Sequence, residues 1–402
     1  MKRRDIFLTA IALFPILIIL MGMPSYAEEV RGVSKDNIKL GVCLDLTGPA
    51  SAIAIPISKA VRNYFRFINE QGGINGRKVS LIIEDDRYSV PVTLSAFKKL
   101  VYRDEVLAIV GPSATAGVTA LFSQVKKERM PIIPVPLTET FVNPYKRYIF
   151  MSTTGYTEQN MSLVDYIVKD LKAGNPKIGV VCPDSEYGLT GYRLISGRAK
   201  LHGIQHEVDK EIMAVSAVDA SSQILNLRRN KVDHIFVFGG IQSTVTVLRD
   251  ARKFGMDARF FGDFFSCDED VVRIAGKAAK DFYGVHSLSS WYDDVPGIAR
   301  LKKITLRYDP KTKPLNRYYI QGWLMSMIVT EGMVRSGKGL DGESLVNSLE
   351  GLREFDTGDI SGPITYTSTN HKPSEYSKIY KADLEKELMI PVTKWRRPLT
   401  LQ

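Results

Sequence analysis

Cysteine, histidine and tryptophan are scarce in this chain of 402 residues, at three, five and three. Cys43, Cys182 and Cys267 form an odd, widely spaced set, which fits neither a disulfide framework nor a zinc pattern. Cys43 and Cys182 fall in apolar runs, where a reduced thiol behaves as a small hydrophobe. The histidines are dispersed. His202 and His206 stand four apart, but Gly203 interrupts any helix between them. There is no Gly-x-Ser-x-Gly, His-Glu-x-x-His or Cys-x-x-Cys, so the usual signatures of a serine hydrolase, a zinc protease and a dithiol oxidoreductase are missing. Gly337 to Gly342 matches Gly-x-Gly-x-x-Gly to the letter. It follows a helical stretch (Gln321–Arg335) instead of a strand, and therefore reads as a turn between helices. Nothing in this set calls for a cofactor or a metal.

Long apolar runs are also missing, apart from the first. Lys2, Arg3 and Arg4 precede a stretch from Ile6 to Met23 that is apolar except for Thr9, and Ser25-Tyr26-Ala27 offers small residues for cleavage. That pattern predicts a signal peptide over residues 1–27 and a mature chain from Glu28 in the periplasm. The remaining length suits two domains. The formal net charge is +10, but Lys and Arg are interleaved with acids. The densest runs, Lys98-Lys99 and Lys126 to Arg129, sit on amphipathic helices and read as solvated faces, so nucleic acid is not an expected partner.

Apolar runs alternate with helix-compatible segments through most of the chain. Strands are expected at Ile38–Leu46, Val79–Asp85, Leu107–Gly111 and Met130–Val135. A second set is expected at Lys177–Pro183, His206–Met213, His234–Gly240 and Arg259–Phe265. Helices are expected between them, at Ala52–Glu70, Pro91–Tyr102, Ala116–Lys127, Glu158–Leu171, Tyr187–Leu201, Ala220–Arg229 and Ser243–Phe254. Strict alternation with near-continuous apolar strands predicts an α/β fold of two doubly wound parallel sheets. The strand ends are built of small polar residues, as in Leu46-Thr-Gly-Pro49 and Gly111-Pro-Ser-Ala-Thr115. Such ends hold small ligands.

Asn69-x-x-Gly-Gly-Ile-Asn-Gly-Arg77, the Asp85-Asp86 strand end and the Val110-Gly-Pro112 turn carry a resemblance. On these segments the chain resembles type I periplasmic solute-binding proteins of the branched-chain amino acid ABC-transporter group, over nearly all of residues 36–395. The resemblance implies two lobes, 36–152 plus 290–360 and 155–285 plus 363–395. They would be joined by three hinge crossings near Ser152–Gly155, Val285–Ser290 and Gly362–Thr365, with a ligand cleft between them. It also implies a monomer that delivers a small ligand to ABC permease subunits at the inner membrane, with no catalytic step. A periplasmic sensor, or an amide- or urea-type receptor on the same lobes, is the alternative.

Ser113 or Thr115 can cap the helix after Gly111, and with Ala114 they make a ready anion site at its N-terminus. By resemblance this turn binds the ligand carboxylate, and Pro136-Leu137-Thr138 completes that site, although Pro136 lacks the N–H its family counterpart donates. Tyr187, in Asp184-Ser-Glu-Tyr-Gly188, is the expected lid from the second lobe. Ile53, Ile241 and Trp291 fall at further ligand positions. The group's amino acid binders carry an acid where this chain has Phe264, next to Asp263 and Phe265. Either Asp263 or Asp45 then faces an ammonium, or the ligand has no amine and its body is apolar or aromatic.

Overall fold

A computed structural model describes residues 30–401. The expected signal peptide lies outside the described residues. Among the described residues no helix is long and apolar enough to cross a membrane.

The chain opens with β1 (Asn37–Leu44), α1 (Ser51–Glu70), β2 (Lys78–Asp85), α2 (Val90–Lys98), β3 (Ala108–Val110), α3 (Thr115–Glu128) and β4 (Ile132–Ile133). A wider turn extends α2 to Arg103. These strands form a four-stranded parallel sheet in the order β2-β1-β3-β4, with Val42 opposite both Ile83 and Val110. β1 is buried over most of its length because helices cover both faces, which is why it reads as a continuous apolar run.

The second unit runs α4 (Tyr156–Asp165), β5 (Ile178–Cys182), α5 (Glu186–Leu201), β6 (Asp209–Ile212), α6 (Ser221–Arg229), β7 (His234–Val237), α7 (Ile241–Lys253), β8 (Arg259–Gly262), α8 (Glu269–Ala275) and β9 (Phe282–His286). The chain then returns to the first unit with α9 (Pro296–Tyr308), α10 (Arg317–Ser336) and α11 (Gly342–Glu350). It ends with β10 (Lys378–Asp383) and β11 (Leu388–Pro391). The second sheet has the order β11-β10-β9-β8-β7-β5-β6.

Not all of that sheet is parallel. β10 runs antiparallel to β9, with Lys378 opposite His286, and β11 folds back on β10. The cause is topological. β9 leaves the sheet toward the hinge and β10 enters from it, so the two must run in opposite directions.

The long helix α10 is buried along most of its length and lies against α1. Gly322 allows that approach, since a Cβ there would stand 2.6 Å from the Ile57 carbonyl oxygen. Cys43, Cys182 and Cys267 are buried and unpaired.

The segments between the two sheets bond to one another. Thr153 Oγ1 donates to Ser287 O at 3.4 Å, and Ser289 N to Ile360 O at 2.8 Å. Thr154 Oγ1 donates to Tyr376 O at 2.7 Å. The third crossing comes later than Gly362–Thr365. Tyr366 OH donates to Met151 O at 2.5 Å, and the His371 ring stacks 3.7 Å from that of Phe150. These contacts keep residues 366–371 against the first unit, and the chain joins the second sheet only at Lys378.

Candidate functional site

The floor of the cleft is made where β1 and β3 end. Gly111 has a φ of +110°, and a Cβ there would collide with the Cys43 carbonyl oxygen. Glycine is therefore required for β3 to turn away beside β1 and deliver residues 112–115 to the cleft. Ser113 N donates to Asp86 Oδ2 at 2.9 Å, and Ser113 Oγ accepts from Asp45 N at 2.7 Å.

Neither Ser113 nor Thr115 caps α3. The N-cap residue is Ala114, and it gives no side-chain bond. The first amides of α3 are thus left for a ligand, and the helix dipole makes that end partly positive. Thr115 is the first residue of α3, and its side chain is 3% exposed. Its hydroxyl is buried with no hydrogen-bond partner.

These groups wall a small cavity of about 30 Å³. Ala50, Ile53, Ala54, Val135 and Pro136 line it from the first unit, with Ser113, Thr115 and Tyr88. Tyr156, Tyr187, Val215, Gly239 and Phe265 face them from the second. No Lys, Arg, Asp or Glu is among these residues. The Tyr187 ring stands 5.9 Å from that of Phe265 and 5.6 Å from that of Tyr156.

Six residues expected at the site therefore do wall the cavity: Ile53, Ser113, Thr115, Pro136, Tyr187 and Phe265. The others sit elsewhere, for physical reasons. Asp45 turns into its own loop, where Oδ1 accepts from Gly48 N at 2.5 Å and Oδ2 from Ala50 N at 2.7 Å. Asp263 lies behind Tyr187. Its Oδ2 accepts from the Tyr187 hydroxyl at 2.5 Å and its Oδ1 from Ser266 N at 3.1 Å. Burial pushes the Asp263 carboxyl up to about 6, against the opposing pull of the Tyr187 hydrogen bond.

Beyond the end of β8 at Gly262 the Phe264 and Phe265 rings pack edge to face, 5.1 Å apart, and only Phe265 reaches the cavity wall. Phe264 stacks 4.1 Å from the His286 ring, away from the cavity. Ala114, Leu137 and Thr138 are buried behind the wall, where the Leu137 carbonyl accepts from Tyr156 N at 2.8 Å. Ile241 begins α7 and packs into the hydrophobic core, and Trp291 is buried under Lys302.

Sequence reasoning missed Tyr88, Tyr156 and Val215, together with the small or apolar Ala50, Ala54, Val135 and Gly239. Tyr88 ends a turn that begins at the Asp85-Asp86 strand end, with a φ of +54°. Its phenol is pushed up to about 12 by burial and by the nearby Asp45 and Asp86. Tyr156 follows the first crossing directly, and its hydroxyl is buried without a partner. Among the described residues no three His, Cys, Asp or Glu side chains gather as metal ligands.

Two α/β units linked by three crossings, with a narrow cleft at their strand ends, define a solute-binding protein of the type I periplasmic fold. The chain belongs to the periplasmic binding protein family, whose model matches residues 37–387. It is similar to the Leu/Ile/Val-binding protein BraC3 of Rhizobium johnstonii, at 24% identity over 349 residues, covering 86% of this chain and 91% of that one. It is also similar to the Leu/Ile/Val-binding protein of Escherichia coli K12, at 21% identity over 262 residues, 65% of this chain and 70% of that one.

Two solved structures share the fold. One is a branched-chain amino acid ABC transporter protein from Thermus thermophilus with bound valine, with a TM-score of 0.84 and 23% identity. It is matched over 90% of this chain and 97% of that one. The other is a fatty acid ABC transporter substrate-binding protein from Thermomonospora curvata, with a TM-score of 0.83 and 23% identity. It is matched over 93% of this chain and 95% of that one.

Proposed function

We propose that this chain is the substrate-binding subunit of an ABC importer, exported to the periplasm and cleaved near Ala27, which captures a small carboxylate by closing two lobes on it. The lobes are residues 36–152 with 290–360, and 155–285 with 363–395. The contacts of Tyr366 and His371 add the segment up to residue 371 to the first of them. Delivery is to permease subunits in the inner membrane, and the protein acts as a monomer without cofactor or catalytic step.

One observation carries this reading. The unpartnered Thr115 hydroxyl stands beside the uncapped start of α3, in a cavity with no cation to neutralise an anion and no acid to repel one. A carboxylate seated there satisfies the buried hydroxyl and the helix amides together. The apolar and aromatic wall fits a hydrocarbon body. The relatives' amino acid and fatty acid ligands are all carboxylates with such bodies.

A thermal-shift screen of the mature protein tests it, with amino acids, aromatic acids, short-chain acids and amides. A ligand at a hundred times its Kd adds about 2.7 kcal/mol to stability. Thr115→Val is expected to weaken the best acid by about 1–3 kcal/mol while leaving the fold intact. Wild-type affinity in that variant, or stabilisation by amides alone, overturns the carboxylate site.

A further inference from the structure

The cleft contains a second unpartnered donor. Tyr156 is the first residue of α4, and its side chain is 3% exposed. Its amide donates to Leu137 O at 2.8 Å, so the residue is fixed at the junction of the two units. Its ring is held against Tyr187 and Phe265, with centroids 5.6 Å and 6.3 Å away. The hydroxyl is buried with only the Leu137 backbone N–H near it and no acceptor for its own proton, and Tyr156 lines the same narrow cavity as Thr115. Burial, with Asp263 close by, raises this phenol well above its ordinary value, so it stays protonated and can donate.

Acceptors in and around the cavity are already engaged. Asp45 accepts from two amides of its own loop. Asp86 accepts from Ser113 N and Tyr88 N. Asp263 accepts from Tyr187 and Ser266. None of the three walls the cavity. Two of the carbonyls that border it are engaged too. Val135 O takes Gln321 Nε2 at 2.8 Å, and Val215 O takes Ser243 Oγ at 2.8 Å. An ammonium brings three donors and a charge, and would meet no carboxylate in this wall, only neutral hydroxyls and carbonyls that cannot balance the charge.

We infer that the ligand carries, next to its carboxylate, a neutral acceptor oxygen in place of an ammonium, and that Tyr156 is the residue that reads it. The ligand class is 2-oxo or 2-hydroxy acids with a compact apolar or aromatic body, and 2-amino acids are discriminated against. Thr115 and the start of α3 take the carboxylate, Tyr156 donates to the oxygen on the neighbouring carbon, and Phe265 and Ile53 enclose the body. This rests on the carboxylate reading above and adds the identity of the second group.

Two matched series separate the two claims. Each keeps one body and changes only position 2: leucine, 4-methyl-2-oxopentanoate and 4-methylpentanoate, then phenylalanine, phenylpyruvate and 3-phenylpropanoate. Calorimetry is run on wild type, Tyr156→Phe and Thr115→Val. In at least one series the oxo acid is expected to bind about tenfold or more tighter than the amino acid. Tyr156→Phe is expected to remove about tenfold of the oxo acid's affinity and to leave the unsubstituted acid within about twofold. Thr115→Val is expected to weaken every acid alike. Tighter binding of an amino acid than of its oxo counterpart overturns this inference and leaves the carboxylate site standing. So does a Tyr156→Phe effect of equal size on all members of a series. Binding by none of the six overturns the carboxylate reading, and this inference with it.

Discussion

Removing the Tyr187 hydroxyl should make the protein's stability depend on pH in a new way. That hydroxyl donates to the Asp263 carboxylate at 2.5 Å, inside a fully buried pair behind the cavity wall. Burial sets the folded value of Asp263 at about 6, against an ordinary 3.8. A raised acid binds its proton more readily in the folded state, so this group's contribution to stability is greatest below about pH 4. It falls as pH rises toward about 6 and is flat above that. A rise from 3.8 to about 6 corresponds to about 3 kcal/mol of stability lost across that window.

Tyr187→Phe keeps the ring and deletes a donor that favours the ionised form, so the folded value climbs further and the falling window extends upward. A hydrogen bond to a charged group contributes about 1.5–3 kcal/mol, and one between neutral groups about 0.5–1.5 kcal/mol. The variant should therefore lose about 1.5–3 kcal/mol at about pH 8, and markedly less at about pH 5, where the carboxyl is protonated. Urea unfolding of wild type and variant at the two pH values measures the difference. Asp263→Asn, which cannot ionise, should remove this group's share of the wild type's slope between them, leaving that of Asp268, which burial raises to about 7. An equal loss at both pH values, or a larger one in acid, refutes the reasoning.

Two further predictions concern buried charges away from the cavity. Arg317 is fully buried, with Nη1 on Leu288 O at 2.7 Å, Nη2 on Glu269 Oε1 at 2.9 Å and its guanidinium 4.2 Å from the Tyr380 ring centroid. Arg317→Ala should cost about 3–5 kcal/mol by leaving Glu269 buried and unpaired, and adding Glu269→Gln should recover part of that in a chemical denaturation series. Asp165 accepts from Arg198 twice at 2.7 Å, from Leu399 N at 2.7 Å and contacts His202 at 2.6 Å. Burial alone would raise Asp165, but these bonds hold it below its ordinary value. Its contribution is present above about pH 4 and lost as pH falls below that, so Asp165→Asn should flatten the acid limb of the wild-type stability curve.

The alternation of strand and helix was legible because the central strands, such as β1, β5 and β7, are buried on both faces and read as continuous apolar runs. The expected strands lie within a few residues of those observed, and Gly111 marked the turn that carries Thr115. The antiparallel β10–β11 pair was not legible, since direction follows from where the chain re-enters, which no local pattern records. The third crossing was placed early because Gly362-Pro363 reads as a departure. Tyr366 and His371 hold the chain back through contacts with Met151 and Phe150, some two hundred residues away in sequence. At the site, Asp45 and Asp263 could not be told apart from ligand-facing acids. An acid that closes its own loop, or accepts from a remote Tyr, has the same letter as one that faces a cleft. The β alternation that separates Phe264 from Phe265 is lost once the strand ends. Tyr88 and Tyr156 carried no signal, being single aromatics, one in a turn and one at a helix start.

The division of labour across the cleft follows from where its unpaired groups sit. Thr115 and the start of α3 belong to the first unit and are formed whether or not the second approaches. Tyr187 and Phe265 come from the second unit and, on the proposed function, meet a ligand only when the cleft is narrow, while Tyr156 sits at the junction with its amide on Leu137 O. A ligand shifts an open–closed equilibrium by the difference in its contacts with the two states, not by its total affinity. On the proposed function, a carboxylate held by the first unit alone binds without driving closure. Closure has to be driven by the atoms that reach the junction and the second unit, through the Tyr156 hydroxyl and the aromatic wall. On the proposed function the importer's selectivity is then set mainly by the second unit and the junction, where Phe264 stacks on His286, Asp263 is tied to Tyr187 and the Tyr156 phenol has no acceptor.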